Sequence, residues 1–370
     1  MLNLKTSRAK FDEPLYLESG RILSSYELVY ETYGVLNDDK SNVIIICHAL
    51  TGSHHAAGQY ENDDKKGWWD ALIGSGKAVD TDKFFVICVS ILGSPHGSTS
   101  PLSINPDTKR EYRLKFPVLT ISDVVKAQIR LFAKLGIYHA HAVIGGSLGG
   151  MQALCFAIEF PKFATHTIIM ASTYQTKPWA IAFNKIATEA IINDPEFKNG
   201  EYDANFIRQN GLKGLAYGRM AGHISFLSPD SMNAKFGRNY VATDGLYELF
   251  GRFSVDTYME YNGYNFPKRF DPLSYLYITK MMNIFDCTRH YDSLKDALTP
   301  IVSDITLIAF SGDILFPPSC MSEMSENLKQ IGKAKCEYIL IDSDYGHDAF
   351  LVEVDKFEKY VKEILEGKNE

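Results

Sequence analysis

The sequence predicts an α/β fold, with a mostly parallel central sheet, helices on both faces and an inserted helical lid. Three observations support this prediction. Apolar β-branched runs that end in turn residues recur along the chain, as buried parallel strands do. Segments with helical periodicity lie between those runs, which is the pattern of a sheet covered on both faces. From about residue 174 to residue 298 the strand-like runs stop and helix-like stretches take over.

Six segments have the composition of buried strands. Between them, the segment ISDVVKAQIRLFAKLG from Ile121 carries apolar residues on one helical face, and Gly136 suits its C-cap. The strand-like runs are NVIIICHALTG from Asn42, FFVICVSILGS from Phe84, HAVIGGS from His141, HTIIMAST from His166, DITLIAFSGD from Asp304 and CEYILIDSDYGHD from Cys336.

The helix-rich stretch predicts an insertion that covers the carboxyl ends of the strands. It includes AIAFNKIATEAIIND from Ala180 and LYELFGRFSVDTYMEY from Leu246, and strand–helix alternation resumes at Asp304. We therefore expect a core domain formed by residues 1–173 and 299–370 and a helical lid formed by residues 174–298.

Composition excludes several classes of function. The chain has 370 residues, 45% of them hydrophobic, and a formal net charge of -7. That charge argues against a nucleic-acid or anionic-membrane partner, which needs a basic surface. No apolar run is long enough for a membrane helix, and the charged N-terminal segment does not resemble a signal peptide. The scattered cysteines lack a CxxC motif and indicate reduced thiols, so we expect a cytoplasmic protein.

The segment GGSLGG contains the first candidate catalytic residue. Ser147 follows a strand run and precedes a helical run, as the serine of a nucleophile elbow does. The glycines leave room for a sharp turn from strand to helix. The alternative is a glycine-rich turn whose serine only caps the helix, but the flanking elements favour a nucleophile.

Two further residues complete a candidate catalytic triad. A serine hydroxyl needs a base to accept its proton, and in this architecture an acid and then a histidine follow at later strand ends. Asp313 follows the strand run in LIAFSGDILFPP, and His347 lies in the loop after the last strand run. We predict that His347 is the general base and that Asp313 orients its imidazole.

Acyl transfer also requires hydrogen-bond donors for the developing oxyanion. One is expected to be the backbone N–H of Leu148, directly after the serine, and the other an N–H from the loop after an early strand. In CHALTG that second donor is the Leu50 N–H. No phosphate-binding P-loop is present, GSGKAVD lacks the third glycine of a dinucleotide fingerprint, and no histidine pattern predicts a metal site.

Several segments together resemble the homoserine O-acetyltransferases of methionine biosynthesis, and the resemblance covers nearly the whole chain. It implies an α/β-hydrolase fold with a helical lid, and a homodimer formed through that lid. The segments are CHALTG, GWWDALIGSGKAVDTDKFFVIC, GGSLGGMQAL, RFDPLSYLYIT and YGHDAFL.

The resemblance also implies a reaction and a substrate site. Acetyl-CoA, as a substrate rather than a permanently bound cofactor, would acetylate Ser147, and the hydroxyl of homoserine would then attack the acyl-enzyme. The family's amino-acid-binding arginine and aspartate correspond to Arg219 and Asp348. An arginine suits the carboxylate of a zwitterion, and a carboxylate suits its ammonium group.

The segment SILGSPHGSTSP differs from many relatives at Ser90, Ser94 and Ser100, close to the expected active-site mouth. Relatives that use succinyl-CoA, or serine as the acceptor, share the triad. A simple serine esterase and a non-catalytic binding protein are further alternatives. The Arg219 and Asp348 pair argues against an esterase, and the complete triad argues against a binding protein.

Overall fold

A computed structural model describes residues 4–61 and 63–367 of the chain. The strands among these residues are β1 (Lys5–Phe11), β2 (Leu15–Tyr16), β3 (Ile22–Leu23), β4 (Tyr26–Tyr33), β5 (Val43–Cys47), β6 (Ile73–Gly74), β7 (Val79–Asp80), β8 (Phe85–Val89), β9 (Ala140–Gly146), β10 (Ala164–Met170), β11 (Asp304–Phe310) and β12 (Cys336–Ile341).

Eight of these strands form one sheet in the order β1-β4-β8-β5-β9-β10-β11-β12. The pairings from β8 through β12 are all parallel. The strands β1 and β4 extend the sheet with antiparallel pairings. The short pairs β2–β3 and β6–β7 lie outside this sheet.

The six predicted strand runs correspond to β5, β8, β9, β10, β11 and β12, so the α/β prediction is confirmed. The two antiparallel strands were not predicted. β1 reads KTSRAKF, and its exposed positions carry charged and polar side chains. Charge on an edge strand blocks pairing with other chains, but it removes the apolar signal used to find strands.

Alternate residues of each central strand pack into two separate cores. In β5, Val43, Ile45 and Cys47 belong to the first core, and Ile44 and Ile46 belong to the second. The first core includes α1 (Ile121–Lys134) and α2 (Leu148–Glu159), and the second includes the amphipathic C-terminal helix. Helices therefore cover both faces of the sheet, as the period-2 geometry of strands requires.

The remaining helices complete the core and form the lid region. Those between β10 and β11 are α3 (Pro178–Ile192), α4 (Ala204–Asn210), α5 (Lys213–Phe226), α6 (Pro229–Phe236), α7 (Ser254–Asn265), α8 (Pro272–Asn283) and α9 (Leu294–Leu298). Those that follow β11 are α10 (Pro318–Ile331), α11 (Ala349–Val352) and α12 (Val354–Leu365). Short 3-10 helices span Arg113–Lys115, Pro195–Gly200, Thr243–Tyr247 and Phe266–Lys268.

One helical prediction in this region was wrong. The run from Leu246 was expected to be helical throughout, but α7 begins only at Ser254. The preceding residues form a loop that contains the 3-10 helix Thr243–Tyr247 and is closed by an isolated antiparallel bridge between Tyr240 and Phe253. Gly245 and Gly251 flank the tip of this loop, and glycine weakens a helix interior by about 1 kcal/mol relative to alanine.

No helix within residues 4–61 and 63–367 combines the length and the apolar character needed to cross a membrane. All six cysteines lie in these ranges and are unpaired, and four of them are buried.

Candidate active site

Ser147 lies on a strained turn between β9 and α2. Its backbone has φ 57° and ψ -123°, a conformation that a residue with a side chain rarely adopts. A Cβ atom on Gly145 would lie 2.2 Å from the Gly149 oxygen, and one on Gly149 would lie 2.0 Å from the Cys47 oxygen. The glycines are therefore required sterically, because α2 starts in direct contact with the ends of β5 and β9.

The structure brings Ser147, Asp313 and His347 together at the carboxyl ends of three strands. The His347 Nε2 atom lies 2.9 Å from the Ser147 Oγ, and its Nδ1 atom lies 2.8 Å from the Asp313 Oδ2. All three side chains are buried. The second carboxylate oxygen of Asp313 accepts the N–H groups of Leu315 and Phe316, each at 2.9 Å.

The charge of Asp313 sets the proton affinity of His347. Burial favours the neutral imidazole, but attraction to the Asp313 carboxylate and the hydrogen bond to it outweigh burial and raise the pKa of His347. The nearby Asp348 also raises the pKa of His347. An imidazole with a raised pKa is a better acceptor for the serine proton, and its charged form is stabilised once the proton arrives.

The two predicted oxyanion donors lie beside the serine. Leu148 is the first residue of α2, and Leu50 lies in the turn that follows β5. Among the residues that the structure describes, neither backbone N–H has a hydrogen-bond acceptor. Two unpaired N–H groups next to a nucleophile can stabilise the negative charge of a tetrahedral intermediate.

A buried network that the sequence analysis missed supports the loop after β5. Glu31 is fully buried, and its two carboxylate oxygens accept four hydrogen bonds of 2.5–2.8 Å. Burial opposes ionisation, but these hydrogen bonds lower the pKa of Glu31 below its ordinary value. The groups bonded to Glu31 are the side chains of Thr6, Tyr33, His55 and Tyr60.

The phenol of Tyr33 connects this network to the loop itself. Its oxygen accepts the Ala56 N–H at 2.7 Å and donates to Glu31. At the start of this loop, the His48 Nε2 atom accepts the Ile91 N–H at 3.0 Å, and the side-chain amide of Gln152 donates to the His48 carbonyl oxygen at 3.0 Å. Side chains from β4 and α2 therefore hold the loop that carries Leu50 in place.

Arg219 lies on α5 with its guanidinium close to two aromatic rings. Its Cζ atom is 5.3 Å from the centroid of Phe226 and 4.9 Å from that of Phe266. The Nε atom is buried and has no hydrogen-bond partner. Burial lowers the pKa of Arg219, and an arginine remains charged even so.

Asp348 carries the opposite charge next to His347. Burial raises the pKa of Asp348, while His347 and Arg219 act against that rise. Within the described ranges Arg219 and Asp348 form no direct ion pair. The two groups therefore remain available to a ligand that carries both charges.

His223 is a third polar group in this region, and the sequence analysis overlooked it. It follows Arg219 by one helical turn and is 5% exposed. Neither ring nitrogen has a partner in the described part of the chain, and burial, followed by the charge of Arg219, lowers its pKa to about 3. The i, i+4 spacing from Arg219 was the available signal, because such residues share one helix face.

The end of α5 is hydrogen-bonded to the loop that carries His347. The Ser228 N–H donates to the Tyr345 carbonyl at 3.0 Å, and the Asp348 N–H donates to the Phe226 carbonyl at 3.1 Å. The Ser228 hydroxyl donates to the Asp344 carbonyl. A Cβ atom on Gly346 would lie 2.5 Å from the Ser228 nitrogen, so the two segments are in contact.

The arrangement is suited to nucleophilic acyl transfer. It combines a serine on a strained turn, a histidine within hydrogen-bond distance, a buried carboxylate behind that histidine and two free N–H groups. No group of three or more histidine, cysteine, aspartate or glutamate side chains among the described residues is arranged to hold a metal ion.

Comparison with known proteins agrees with this geometry. Residues 42–354 match the model of the alpha/beta hydrolase fold family. A homoserine O-acetyltransferase from Sulfurimonas autotrophica is 59% identical over 99% of this chain and 100% of its own length. This chain belongs to the homoserine O-acetyltransferase family. The predicted family and the predicted acyltransferase class are thereby confirmed.

Solved structures of homoserine O-acetyltransferases extend the comparison to three dimensions. The Bacillus anthracis enzyme has a TM-score of 0.91 and 32% identity, covering 99% of this chain and 98% of that chain. A structure described as esterase E22 has a TM-score of 0.87 and 30% identity, covering 98% of this chain and 100% of that chain. The homoserine O-acetyltransferase fold thus also occurs in a protein named for ester hydrolysis.

Proposed function

We propose that this chain transfers the acetyl group of acetyl-CoA to the side-chain hydroxyl of L-homoserine, giving O-acetyl-L-homoserine for methionine biosynthesis. The observation that carries this proposal is the pair of unpaired opposite charges, Arg219 and Asp348, beside a complete Ser–His–Asp geometry. Membership of the homoserine O-acetyltransferase family supports the same conclusion.

In the first half-reaction, the Ser147 Oγ attacks the thioester carbonyl carbon while its proton moves to the His347 Nε2. The carbonyl oxygen becomes an oxyanion that accepts hydrogen bonds from the Leu50 and Leu148 N–H groups. The intermediate then collapses and the carbon–sulfur bond breaks. The leaving thiolate takes the proton from His347, which yields acetyl-Ser147 and CoA.

In the second half-reaction, the homoserine hydroxyl oxygen attacks the carbonyl carbon of acetyl-Ser147 and its proton moves to His347. The same two N–H groups stabilise the second oxyanion. When the bond between the carbonyl carbon and the Ser147 oxygen breaks, that oxygen recovers the proton from His347. The kinetics are therefore ping-pong, with CoA released before the amino acid is acylated.

The zwitterion of homoserine explains why both charges are needed. The Arg219 guanidinium would bind the α-carboxylate, and Asp348 would bind the α-ammonium group. His223 remains neutral and offers a ring N–H to the same carboxylate. Since Asp348 directly follows His347, the ammonium site lies next to the group that accepts the hydroxyl proton.

A simple esterase is the second candidate, because esterase E22 shares this fold at 30% identity. The deciding experiment follows CoA release from acetyl-CoA with homoserine, with serine and with water as the only acceptor. We expect rapid release only with homoserine, apart from one burst equal to the enzyme concentration. An equal steady rate without any amino acid would establish the esterase and refute the transferase.

The same assay distinguishes the remaining alternatives within the family. Replacing the donor by succinyl-CoA tests a succinyltransferase, and serine as the acceptor tests a serine O-acyltransferase. Pockets separate substrates that differ by one methylene by about 1–3 kcal/mol. Serine and homoserine differ by one methylene, so we expect a preference of about 10- to 100-fold for homoserine. Succinyl-CoA adds a charged carboxylate to the acyl group, and we expect acetyl-CoA to be the preferred donor.

Arg219→Ala is expected to separate the two half-reactions. Loss of a charge-assisted contact costs about 1.5–3 kcal/mol, so kcat/KM for homoserine should fall by about 10- to 100-fold. Acetylation of Ser147, measured as the CoA burst without acceptor, should stay within about twofold of wild type because Arg219 touches only the acceptor.

The matched control for this experiment is Arg252→Ala, which removes a lid arginine whose observed partner is the exposed Glu260. It should change neither half-reaction. If Arg219→Ala lowers the burst rate and the homoserine step equally, Arg219 does not belong to the amino-acid site.

We also propose that the chain forms a homodimer through the lid. Several large apolar side chains of the lid helices are about half exposed, an arrangement more typical of an interface than of a free surface. Analytical ultracentrifugation at micromolar concentration should give the dimer mass, and a monomer would refute this assignment. The exposed side chains are Trp179, Ile186, Tyr217, Ile224 and Tyr261.

A further inference from the structure

A cavity of about 450 Å³ lies at the edge of the lid. It is bounded by the loop that follows β8, by α4 and by the segment that joins α7 to α8. Three of its lining residues are cations from two of these segments, namely Arg208, Lys268 and Arg269. The lining also includes Pro95 and Ser100, from the loop that follows β8.

The charge of this cavity is positive although the protein as a whole carries -7. Among the residues that the structure describes, none of its three cations forms an ion pair with a carboxylate. Asp271 is the acidic residue in the lining, and it is turned inward. Its carboxylate accepts the Tyr202 hydroxyl and the Ser274 N–H, the latter at 2.7 Å.

The carboxyl group of Asp271 does not neutralise the three cations. It is 9% exposed, and burial raises its pKa. The lining therefore holds three cations against this single carboxyl group, which leaves the cavity with a net positive charge. Arg208, Lys268 and Arg269 are all exposed, so an anionic ligand can reach them.

One aromatic ring separates this cavity from the active site. The Arg269 Cζ atom lies 5.5 Å from the centroid of Phe266, and the Arg219 Cζ atom lies 4.9 Å from the same centroid. Phe266 is fully buried. Arg219 also contacts Phe226, whose ring centroid is 6.2 Å from that of His347. Arg269 and Arg219 therefore contact the same buried ring, which places the cavity next to the proposed amino-acid site.

The cavity wall continues toward the loop after β5, which carries Leu50. Phe270 lines the cavity, and its ring centroid lies 5.8 Å from that of His96. Burial lowers the pKa of His96 to about 4, and the nearby His54 and Arg269 contribute in the same direction. His54 is bonded to Ser90, directly after β8.

We infer that this cavity binds the phosphate groups of coenzyme A, with Arg208, Lys268 and Arg269 as their ligands. The inference rests on the proposed function, because it assigns a subsite to the proposed acyl donor. Coenzyme A carries a 5′-diphosphate and a 3′-phosphate at one end and the thioester at the end of a long, flexible pantetheine arm. With the phosphates bound here, that arm would have to span the distance from the cavity to Ser147.

The residue types fit this ligand. A guanidinium offers paired N–H donors that match two phosphate oxygens, and a lysine ammonium acts as a compact point charge. The positive cavity in an acidic protein also gives an anionic donor a local binding site that the rest of the surface does not provide. The acceptor homoserine has no phosphate and makes no use of these cations.

The test compares two thioester donors of different size. Acetyl-CoA carries the phosphates, whereas S-acetyl-N-acetylcysteamine presents the same acetyl thioester without them. For each enzyme form the ratio of kcat/KM for acetyl-CoA to kcat/KM for the truncated donor is measured. In the triple variant R208Q/K268Q/R269Q we expect this ratio to fall by about 30-fold or more, since each charge-assisted contact contributes severalfold.

The matched control removes three exposed lysines from α10, the segment after it and α12. The variant K329Q/K333Q/K362Q loses the same charge and should keep the wild-type ratio within about twofold, because physiological salt screens the effect of charges far from the bound donor. An unchanged ratio in R208Q/K268Q/R269Q, or an equal fall in both triple variants, would overturn the phosphate site.

A second measurement uses the unaltered protein, so it does not depend on how the variants fold. Adenosine 3′,5′-bisphosphate should inhibit competitively against acetyl-CoA, and inorganic phosphate should do so only weakly. Absence of inhibition by the bisphosphate would refute the inference while leaving the proposed reaction intact. If wild type uses only the truncated thioester and not acetyl-CoA, the proposed donor itself is wrong, and the phosphate site falls with it.

Discussion

Replacing Ser147 with alanine is expected to lower turnover by about 10⁶-fold, as removal of the triad nucleophile does in a serine protease. The substitution removes the Oγ that lies 2.9 Å from the His347 Nε2. No acyl-enzyme can then form, so both half-reactions are lost together. The measurements are steady-state CoA release with homoserine and mass spectrometry of the protein after incubation with acetyl-CoA alone.

The control is Ser325→Ala, which removes the hydroxyl of a buried serine on α10 that is hydrogen-bonded to the Cys336 thiol. This variant should retain turnover within severalfold and should still show the acetyl adduct. Near-normal activity in Ser147→Ala, or an acetyl adduct on that variant, would end the assignment of Ser147 as the nucleophile.

Asp313→Asn is expected to reduce kcat by about 10⁴-fold, as the same change does in serine proteases, although the shape of the side chain is almost unchanged. The reason lies in the backbone donors of Leu315 and Phe316, which hold one carboxylate oxygen. In asparagine that position must be the amide oxygen, so the NH₂ group faces the His347 Nδ1. His347 must then carry its proton on Nε2, where it cannot accept the proton of Ser147.

The pH profile supplies a second readout for this variant. In wild type the neutral imidazole is the active form and Asp313 raises the pKa of His347 above 6.5. The rate should therefore fall as the pH drops through that raised pKa. In Asp313→Asn the charge is gone, so the acidic limb should move to lower pH. A variant with an unshifted limb and only a twofold loss in kcat would show that Asp313 does not orient His347.

The sequence predicts the central strands and the relative positions of Ser147, Asp313 and His347 because these follow from local patterns. Each parallel strand is a continuous apolar run, and each candidate residue lies in the turn or loop that follows one strand. Ser147 follows β9, Asp313 follows β11 and His347 follows β12. The carboxyl ends of neighbouring parallel strands meet at one edge of the sheet, so residues that are 200 positions apart in the chain come within hydrogen-bond distance. Their positions relative to the strand runs were therefore sufficient to predict that the three side chains meet.

Features that depend on contacts between distant segments were not predictable in this way. The carboxylate of Glu31 gathers groups from β1, β4 and the loop after β5, and no short motif contains them. The same holds for the cavity lined by Arg208 and Lys268. β1 itself was missed because its polar residues lack the apolar signal, although it contributes Thr6 to the buried network.

The hydrogen bonds that join Ser228 and Phe226 to the loop of His347 and Asp348 have a mechanical consequence. They attach the end of α5 to the loop that carries His347. The end of this helix therefore cannot move without displacing His347. The position of His347 and the position of the end of α5 are therefore coupled.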